Sequence, residues 1–256
     1  MEFCALASGS SGNCFYVKKG GTAVLVDCGI SAKQVTERLD SIGESIDKIR
    51  GIFVTHEHTD HIRGVDVLAS RHEIPVFLTK KTADAALICR EKGLIHTIKN
   101  DELVNVNGIH VQAFSKSHDA FDPVSYCLEA GGKRLGVITD IGYACKNVVS
   151  NISQCDSLIL ESNHDINMLK NGGYPAYLKK RIASKYGHIS NYEAALLVLS
   201  CGSKRLQSIL LSHLSQNNNT PELALRAFGL LNERKDIDPD VFVSCKEKAS
   251  DLVRIR

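Results

Sequence analysis

Residues 51–61 read GIFVTHEHTDH, and they decide the architecture because a strand-like apolar run gives way at once to four candidate metal ligands. Ile52, Phe53 and Val54 have the composition of a short buried strand. His56, His58, Asp60 and His61 follow within six positions, where that strand emerges and in the loop beyond it. A rigid strand that delivers ligands into a loop is a construction suited to a preformed site. The unusual density of imidazoles, more than any one residue, makes this a metal motif rather than a solvated turn.

Working outward, residues 3–7 and 14–17 are apolar runs on either side of the loop SGSSGN at 8–13, which predicts strand, tight loop, strand. Residues 23–26 give another strand, ending on Asp27, a carboxylate at a strand's end. Residues 31–39 carry Val35 and Leu39 at helical spacing. On the other side, 62–71 predict a helix with His61 at its start, 76–78 a short strand, and 81–92 a helix. Residues 109–114, 124–129 and 134–139 predict strands separated by Asp-Pro and Gly-Gly turns. Residues 158–160 and 208–211 are further apolar strands that run into polar clusters. Helices are expected at 191–199 and 221–231, the second with Thr220 as N-cap and Pro221 in the first helical position. Runs of strands with helices interposed fit two sheets packed on each other with helices outside, an α+β arrangement.

The composition is that of an ordinary globular chain: 256 residues, 43% hydrophobic, 23% charged, long enough to bury a full core. Nine cysteines at irregular spacings include no C-x-x-C pair and are expected to be reduced and mostly buried. No charged-then-apolar leader and no apolar run near the ~18 residues of a membrane span occur, so no membrane association and a cytoplasmic location are expected. A net charge of +2 implies no nucleic acid by itself, although Lys179, Lys180, Arg181 and Lys185 make a local basic run. Such a run serves as a solvated helix face or as a grip on a substrate backbone.

If the HEHTDH loop holds metal, further ligands must come from the ends of later strands. His118 in FSKSHD, Asp140 at the end of GVITD, and His213 in LLSHLS each stand just past an apolar run. Recurrence of one placement at three strand ends is what a preformed centre requires. Mixed nitrogen and oxygen donors suit zinc, with manganese or iron accepted by the same set.

These segments resemble the metallo-β-lactamase fold hydrolases, whose motifs match Asp27, HEHTDH, His118, Asp140 and His213 in order. The resemblance implies a four-layer αββα sandwich of two mixed β-sheets with flanking helices, forming a single domain over residues 1–256. It also implies two divalent ions per chain, the first held by His56, His58 and His118, the second by Asp60, His61 and His213, with Asp140 bridging them and Asp27 orienting the site from behind. SGSSGN at 8–13, ESNHD at 161–165, GHISN at 187–191 and HLSQNNNTPELA at 213–224 are similar to the WalJ/YycJ branch, regarded as DNA exonucleases. The expectation is therefore a dinuclear hydrolase that cleaves phosphodiester bonds, most specifically a DNA exonuclease acting at the 5'-phosphate end of duplex DNA. Physical chemistry agrees: two ions about 3.5 to 4 Å apart lower the pKa of a shared water to about 7. About +4 from the ions, less about 3 from two carboxylates and a hydroxide, leaves a centre near +1 that favours a phosphate anion.

The remaining segments read as substrate handling. Ser11 and Asn13, with the backbone N–H groups of their loop, can grip a phosphate as a nest does, or the loop is only a tight turn. Glu161, His164 and His188 are candidates for protonating the leaving oxygen, alongside the catalytic carboxylates Asp60 and Asp140. Asn163, Asn217 and Asn218 are candidate substrate contacts. The interval from Asp140 to His213 is too short for the β-CASP insertion that clamps nucleic acid in related branches. Competing readings are a small cyclic phosphodiesterase, a thioester hydrolase of the glyoxalase II type, and a non-catalytic metal-bearing scaffold that binds DNA or protein. A redox member is disfavoured, because that branch uses H-x-E-x-D where this chain has His58.

Overall fold

The computed structural model describes residues 1–89 and 93–256. In chain order the strands are β1 (Glu2–Ala7), β2 (Cys14–Lys19), β3 (Thr22–Val26), β4 (Ile49–Phe53), β5 (Val76–Thr79) and β6 (Ile95–Ile98). They continue with β7 (Leu103–Val106), β8 (Ile109–Ser115), β9 (Val124–Ala130), β10 (Lys133–Ile138), β11 (Ser157–Glu161), β12 (Ser208–Ser212), β13 (Asp240–Val243) and β14 (Val253–Arg254). One sheet has the order β14-β1-β2-β3-β4-β5-β6, the other β13-β12-β11-β10-β9-β8-β7. The described helices are α1 (Ala32–Ser41), α2 (Thr59–Ile62), α3 (Val65–His72), α4 (Lys80–Ala86), α5 (Lys146–Ile152), α6 (Ile166–Asn171), α7 (Ala176–Ile182), α8 (Asn191–Cys201) and α9 (Pro221–Phe228).

Both sheets are mixed in the same way. The strand pairs from β1 to β3 and from β7 to β10 are antiparallel, whereas those from β3 to β6 and from β10 to β13 are parallel. Within each sheet β1, β3 and β4, or β8, β10, β11 and β12, therefore run in one direction, so their carboxyl ends share an edge. That edge is where α/β architectures place their sites.

The alternation within strands explains the layering. In β1, Phe3 and Ala5 face the core between the sheets, while Cys4 and Leu6 face the core under α1 and α3. The far sheet buries a third core beneath α5, α8 and α9. Strands buried on both faces read as nearly continuous apolar runs, as 3–7 and 23–26 do. The four-layer αββα sandwich expected from the sequence is the observed fold. Phe53 stacks on Phe77 at 4.7 Å and meets Tyr126 edge-on at 5.5 Å. The Tyr126 hydroxyl donates to Val54 O at 2.7 Å, and Val124 N–H donates to Thr55 O at 3.0 Å. The root of the ligand loop is thereby bolted to the opposite sheet, with each buried aromatic contributing roughly 1.5 to 3 kcal/mol.

Several element boundaries differ from expectation. The helix expected over 62–71 is two pieces, α2 and α3, broken at Gly64, whose missing side chain lets the chain approach Ile30: a Cβ there would lie 2.0 Å from Ile30 O. The helix expected over 81–92 closes at Ala86, with Leu87 left-handed at φ 56°, and its last three positions lie outside the described residues. The strands β6, β7, β13 and β14 and the helices α5, α6 and α7 were not expected. They are short, and β6, β7 and β13 leave about half their side chains exposed, so no apolar period marks them. No helix among the described residues is long and apolar enough to cross a membrane.

Candidate metal centre

His56 stands three residues beyond the last strand residue of β4, His58 is the N-cap of α2, and Asp60 and His61 occupy that helix's single turn. The short connection after β3 packs directly against this turn. Cys28 N–H donates to His61 O at 2.8 Å, Gly64 N–H to Cys28 O at 2.8 Å, and Asn13 N–H to Asp60 O at 2.8 Å. Gly29 is what permits the contact, since a Cβ would fall 1.7 Å from Asp60 O.

Three site residues at strand ends are left-handed although none is glycine: Asp27 at φ 60°, Asp140 at φ 54° and His213 at φ 56°. Such backbone costs roughly 1 to 3 kcal/mol each and is found where it aims a functional group. Asp27 is completely buried. One carboxylate oxygen accepts Thr55 N–H at 2.7 Å, and the other accepts Thr55 Oγ1–H at 2.9 Å and lies 2.7 Å from His61 Nδ1. The His61 Nδ1 proton is thus committed to Asp27, which turns Nε2 toward the cavity. On the far side, Ser8 Oγ accepts His213 N–H at 2.7 Å, and Asn163 Nδ2 donates to His213 O at 2.9 Å.

The side chains converge into overlapping groups. His56, His58 and His118 form one, and Asp60, His61 and His213 another, with the ligand atoms of each within 4.8 Å of one another. Asp140 joins His56 and His61 on one side, and Glu161, His188 and His213 on the other. Its Oδ1 lies 3.0 Å from His213 Nδ1 and 3.9 Å from His118 Nε2, and its Oδ2 lies 3.3 Å from His61 Nε2. All seven candidate ligands are therefore brought together; two of the four groups are the trios that the family resemblance implies, and the other two, which share Asp140, cut across them.

The electrostatics ask for cations. Burial makes His56 and His118 hard to protonate, His56 well below its ordinary value and His118 down to about 4, so both are neutral donors. Burial pushes Asp60 up, but the charge of His61 outweighs it and holds the carboxyl at about 2; His213 and His61 likewise keep Asp140 well below the usual range. Glu161 is also held at about 2, by His188 and His213 against burial. Burial disfavours charge on His213 and His61, yet the surrounding carboxylates prevail, led by Asp140, raising His213 to about 10 and His61 well above normal. Protons on these two histidines occupy positions that divalent ions would take, and ion binding would displace them. Asp140 Oδ2 is buried without a hydrogen bond of acceptable geometry, which leaves a carboxylate lone pair aimed into the cluster. The donor set and this orphaned oxygen fit divalent ions.

A cavity of about 180 Å³ opens over the cluster, lined by His58, Asp60, His118, Asp140, His188 and His213, with Ser10, Asp119, Arg181 and others at its wall. His188 lies in it, its Nδ1 held 2.7 Å from Glu161 Oε1. His164 does not line it: the ring is buried, its Nδ1 faces Asn163 Oδ1 at 3.3 Å, and its carbonyl accepts Asn191 N–H at 2.9 Å, joining it to the start of α8. Among the other polar candidates, one side chain stands in the cluster. Asn13 is inside the cluster, 3.2 Å from His61 Nε2, and its Oδ1 accepts Gly9 N–H to close the loop turn. Asn163 props His213, Asn217 donates to Tyr174 Oη at 2.9 Å, and Asn218 is buried beside Ser215. Ser10, rather than Ser11, reaches the cavity.

Sequence reasoning missed Lys116, which is buried against the centre and donates to Thr139 O at 2.8 Å, its pKa lowered by burial. Lys116 adds a cation, and Asp27 and Glu161 add anions, to a charge balance reckoned from ligands alone. It also missed the Asp119–Arg181 ion pair at the cavity wall. The stretch KSHD held a signal for both, a lysine and an aspartate flanking a ligand histidine.

Comparison with known proteins places this geometry in a family. The model of the β-lactamase superfamily domain matches residues 22–213. The chain is 38% identical over 244 residues to exodeoxyribonuclease YycJ of Bacillus anthracis, covering 92% of this chain and 90% of that one. It is 35% identical over 229 residues to exodeoxyribonuclease WalJ of Streptococcus pneumoniae, covering 88% and 85%. Among solved structures, the metallo-β-lactamase fold protein YhfI of Bacillus subtilis superposes with a TM-score of 0.74 at 14% identity, covering 97% and 98%. The human short-form tRNase Z superposes at 0.68 and 17% identity over the full length of both chains. Matched in sequence along nearly all its length and in fold throughout, the chain belongs to the metallo-β-lactamase fold hydrolases, in their WalJ/YycJ branch.

Proposed function

We propose that the protein is a dinuclear metal-dependent phosphodiesterase that degrades DNA as an exonuclease, from the 5'-phosphate end of a duplex. The observation that carries this reading is the pair of ligand groups, His56/His58/His118 and Asp60/His61/His213, with Asp140 between them. Two divalent ions in these groups, zinc or alternatively manganese or iron, would supply hydroxide at neutral pH and charge to neutralise the phosphate. Asp27 fixes the His61 tautomer, and Glu161 does the same for His188 through the 2.7 Å contact at Nδ1. With Nδ1 so engaged, His188 Nε2 is the nitrogen available to the cavity; once Nε2 also carries a proton, the imidazolium, its charge balanced by Glu161, hands that proton to the departing sugar oxygen and returns to the neutral Nδ1–H tautomer. His164, walled off from the cavity, serves to anchor α8. The exodeoxyribonuclease names of the B. anthracis and S. pneumoniae relatives support DNA as the polymer.

The short interval from Asp140 to His213, which leaves no room for the nucleic-acid clamp of related branches, favours one second reading, a small cyclic phosphodiester as substrate. Both are tested by incubating manganese- or zinc-loaded protein with 5'-phosphorylated duplex DNA and, separately, with cyclic dinucleotides. The exonuclease reading expects mononucleotides from the duplex and none with His58→Ala. Intact duplex, indistinguishable from the His58→Ala reaction, would overturn it, and turnover of the cyclic compound alone would install the second reading.

A further inference from the structure

The six most exposed aromatic side chains among the described residues are Phe121, Tyr143, Tyr177, Tyr186, Tyr192 and Phe242, from 42% to 75% exposed. Four of them are carried on segments that line the metal-centre cavity or bond to those that do. Tyr177 precedes Leu178, which lines the cavity together with Arg181 and Ile182 of α7, and Tyr186 precedes Gly187 and His188, which also line it. Phe121 N–H donates to Oε1 of Glu57, the residue between ligands His56 and His58, at 2.9 Å. Tyr143 follows Gly142, whose N–H donates to Ser117 O at 2.8 Å and whose missing Cβ would lie 2.0 Å from Lys185 O. Asp119 N–H donates to Tyr186 O at 3.1 Å, which closes the set. Backbone bonds thus stitch the segments bearing Phe121, Tyr143 and Tyr186 into one preformed rim.

Exposed aromatic residues on segments gathered at one site call for a ligand. This one is interleaved with cations: Lys180 and Lys185 are exposed, and Lys185 Nζ stands 5.0 Å from the Tyr186 ring centroid. Aromatic faces beside ammonium groups suit unpaired nucleobases joined by phosphates, since every base offers a face and every linkage a charge. The cavity points the same way. At about 180 Å³ it is smaller than the roughly 300 to 1,000 Å³ that small-molecule sites occupy. Five of its seven candidate ligands, all but His58 and Asp60, are buried, so a phosphodiester and its sugar enter while a base pair stays outside.

We infer that the rim formed by Phe121, Tyr143, Tyr177 and Tyr186 is a stacking platform for the unpaired bases of the strand whose phosphodiester enters the cavity. The inference rests on the phosphodiesterase reading and adds the form of the substrate, a single-stranded or frayed terminus, with Lys180 and Lys185 on its phosphates. A duplex end is used only after its terminal pairs have opened.

The test is fluorescence anisotropy of ion-free protein with a short dye-labelled DNA single strand, set against an abasic strand of equal length and charge. The base-bearing strand is expected to bind more tightly. Tyr186→Ala and Phe121→Ala each weaken it about fivefold to a hundredfold, Tyr186→Phe preserves it, and the abasic strand binds all these proteins alike. Equal affinity for the two strands, or alanine variants that bind the base-bearing strand as the unmodified protein does, would overturn the platform. Thermal melting of each variant identifies any loss that comes from misfolding. Turnover of bis(p-nitrophenyl) phosphate by the ion-loaded, unmodified protein reports the phosphodiesterase reading separately. If that turnover is absent while binding depends on bases and on the rim, the platform stands and the phosphodiesterase reading falls. If it is present without base-dependent binding, the platform falls and the reading stands.

Discussion

The first sheet delivers His56, His58, Asp60 and His61 from one loop, whereas the second delivers His118, Asp140 and His213 from beyond the ends of three strands, β8, β10 and β12. The loop is held by short backbone bonds to neighbouring turns, around glycines that let the chain come close. The strand ends are held by left-handed backbone at Asp140 and His213 and by side-chain props such as Ser8 and Asn163. Each of the two proposed ion groups takes two residues from the first half and one from the second, although Asp140, Glu161, His188 and His213 also converge within the second half alone. The lesson is a division of labour. The first half concentrates ligands, and the second supplies the closing ligand of each group and, in the proposed mechanism, the proton donor.

That division is most exposed to test at His188. His188→Ala is expected to lower kcat on DNA by about 10²- to 10⁴-fold and to spare an ester whose nitrophenolate leaving group needs no proton. An equal loss on both substrates would remove the proton donor from the second half. Next in size is Asp27→Asn in the first half, which takes away the acceptor that fixes His61. About a 10- to 100-fold weaker affinity for zinc, read by chelator competition, is expected; unchanged affinity would mean that the ligand loop orients itself. The smallest effect compares two helix caps. Ser31 and Ser190 both build capping boxes, on α1 and α8, and alanine at either should cost about 1 kcal/mol in thermal unfolding. Ser190 is buried and adjoins Asn191, which bonds to His164 and Ser162, so only Ser190→Ala should also slow phosphodiester turnover. Two variants equally silent in turnover would make α8 as remote from the site as α1.

The same contrast governs how much could be read from the chain. The first half's candidate ligands were legible because they are chemically rare and adjacent, and the sandwich was legible because doubly buried strands leave long apolar runs. His118, Asp140 and His213 were legible by their placement past such runs. The choice between His164 and His188 was not: both follow turns and both are histidines, and only the fold separates them, by placing His188 at the cavity and within 2.7 Å of Glu161, 27 positions away. Lys116 left a signal in KSHD and Arg181 in its basic run, but Ser10 and the pairing of Asp119 with Arg181 meet the centre across distant parts of the chain, which no local pattern records. The asparagines at 163, 217 and 218 attracted attention as polar groups near ligands, but their bonds go to backbone and neighbouring side chains that shape the loops.

The central claim is that two ions are held, each across both halves. It is tested most directly by counting metal per chain, by plasma mass spectrometry after reconstitution with zinc, in the unmodified protein and in His213→Ala. The account predicts two ions for the first and one for the second, the survivor being held by His56, His58 and His118. A single ion in the unmodified protein, or two retained in His213→Ala, would contradict it.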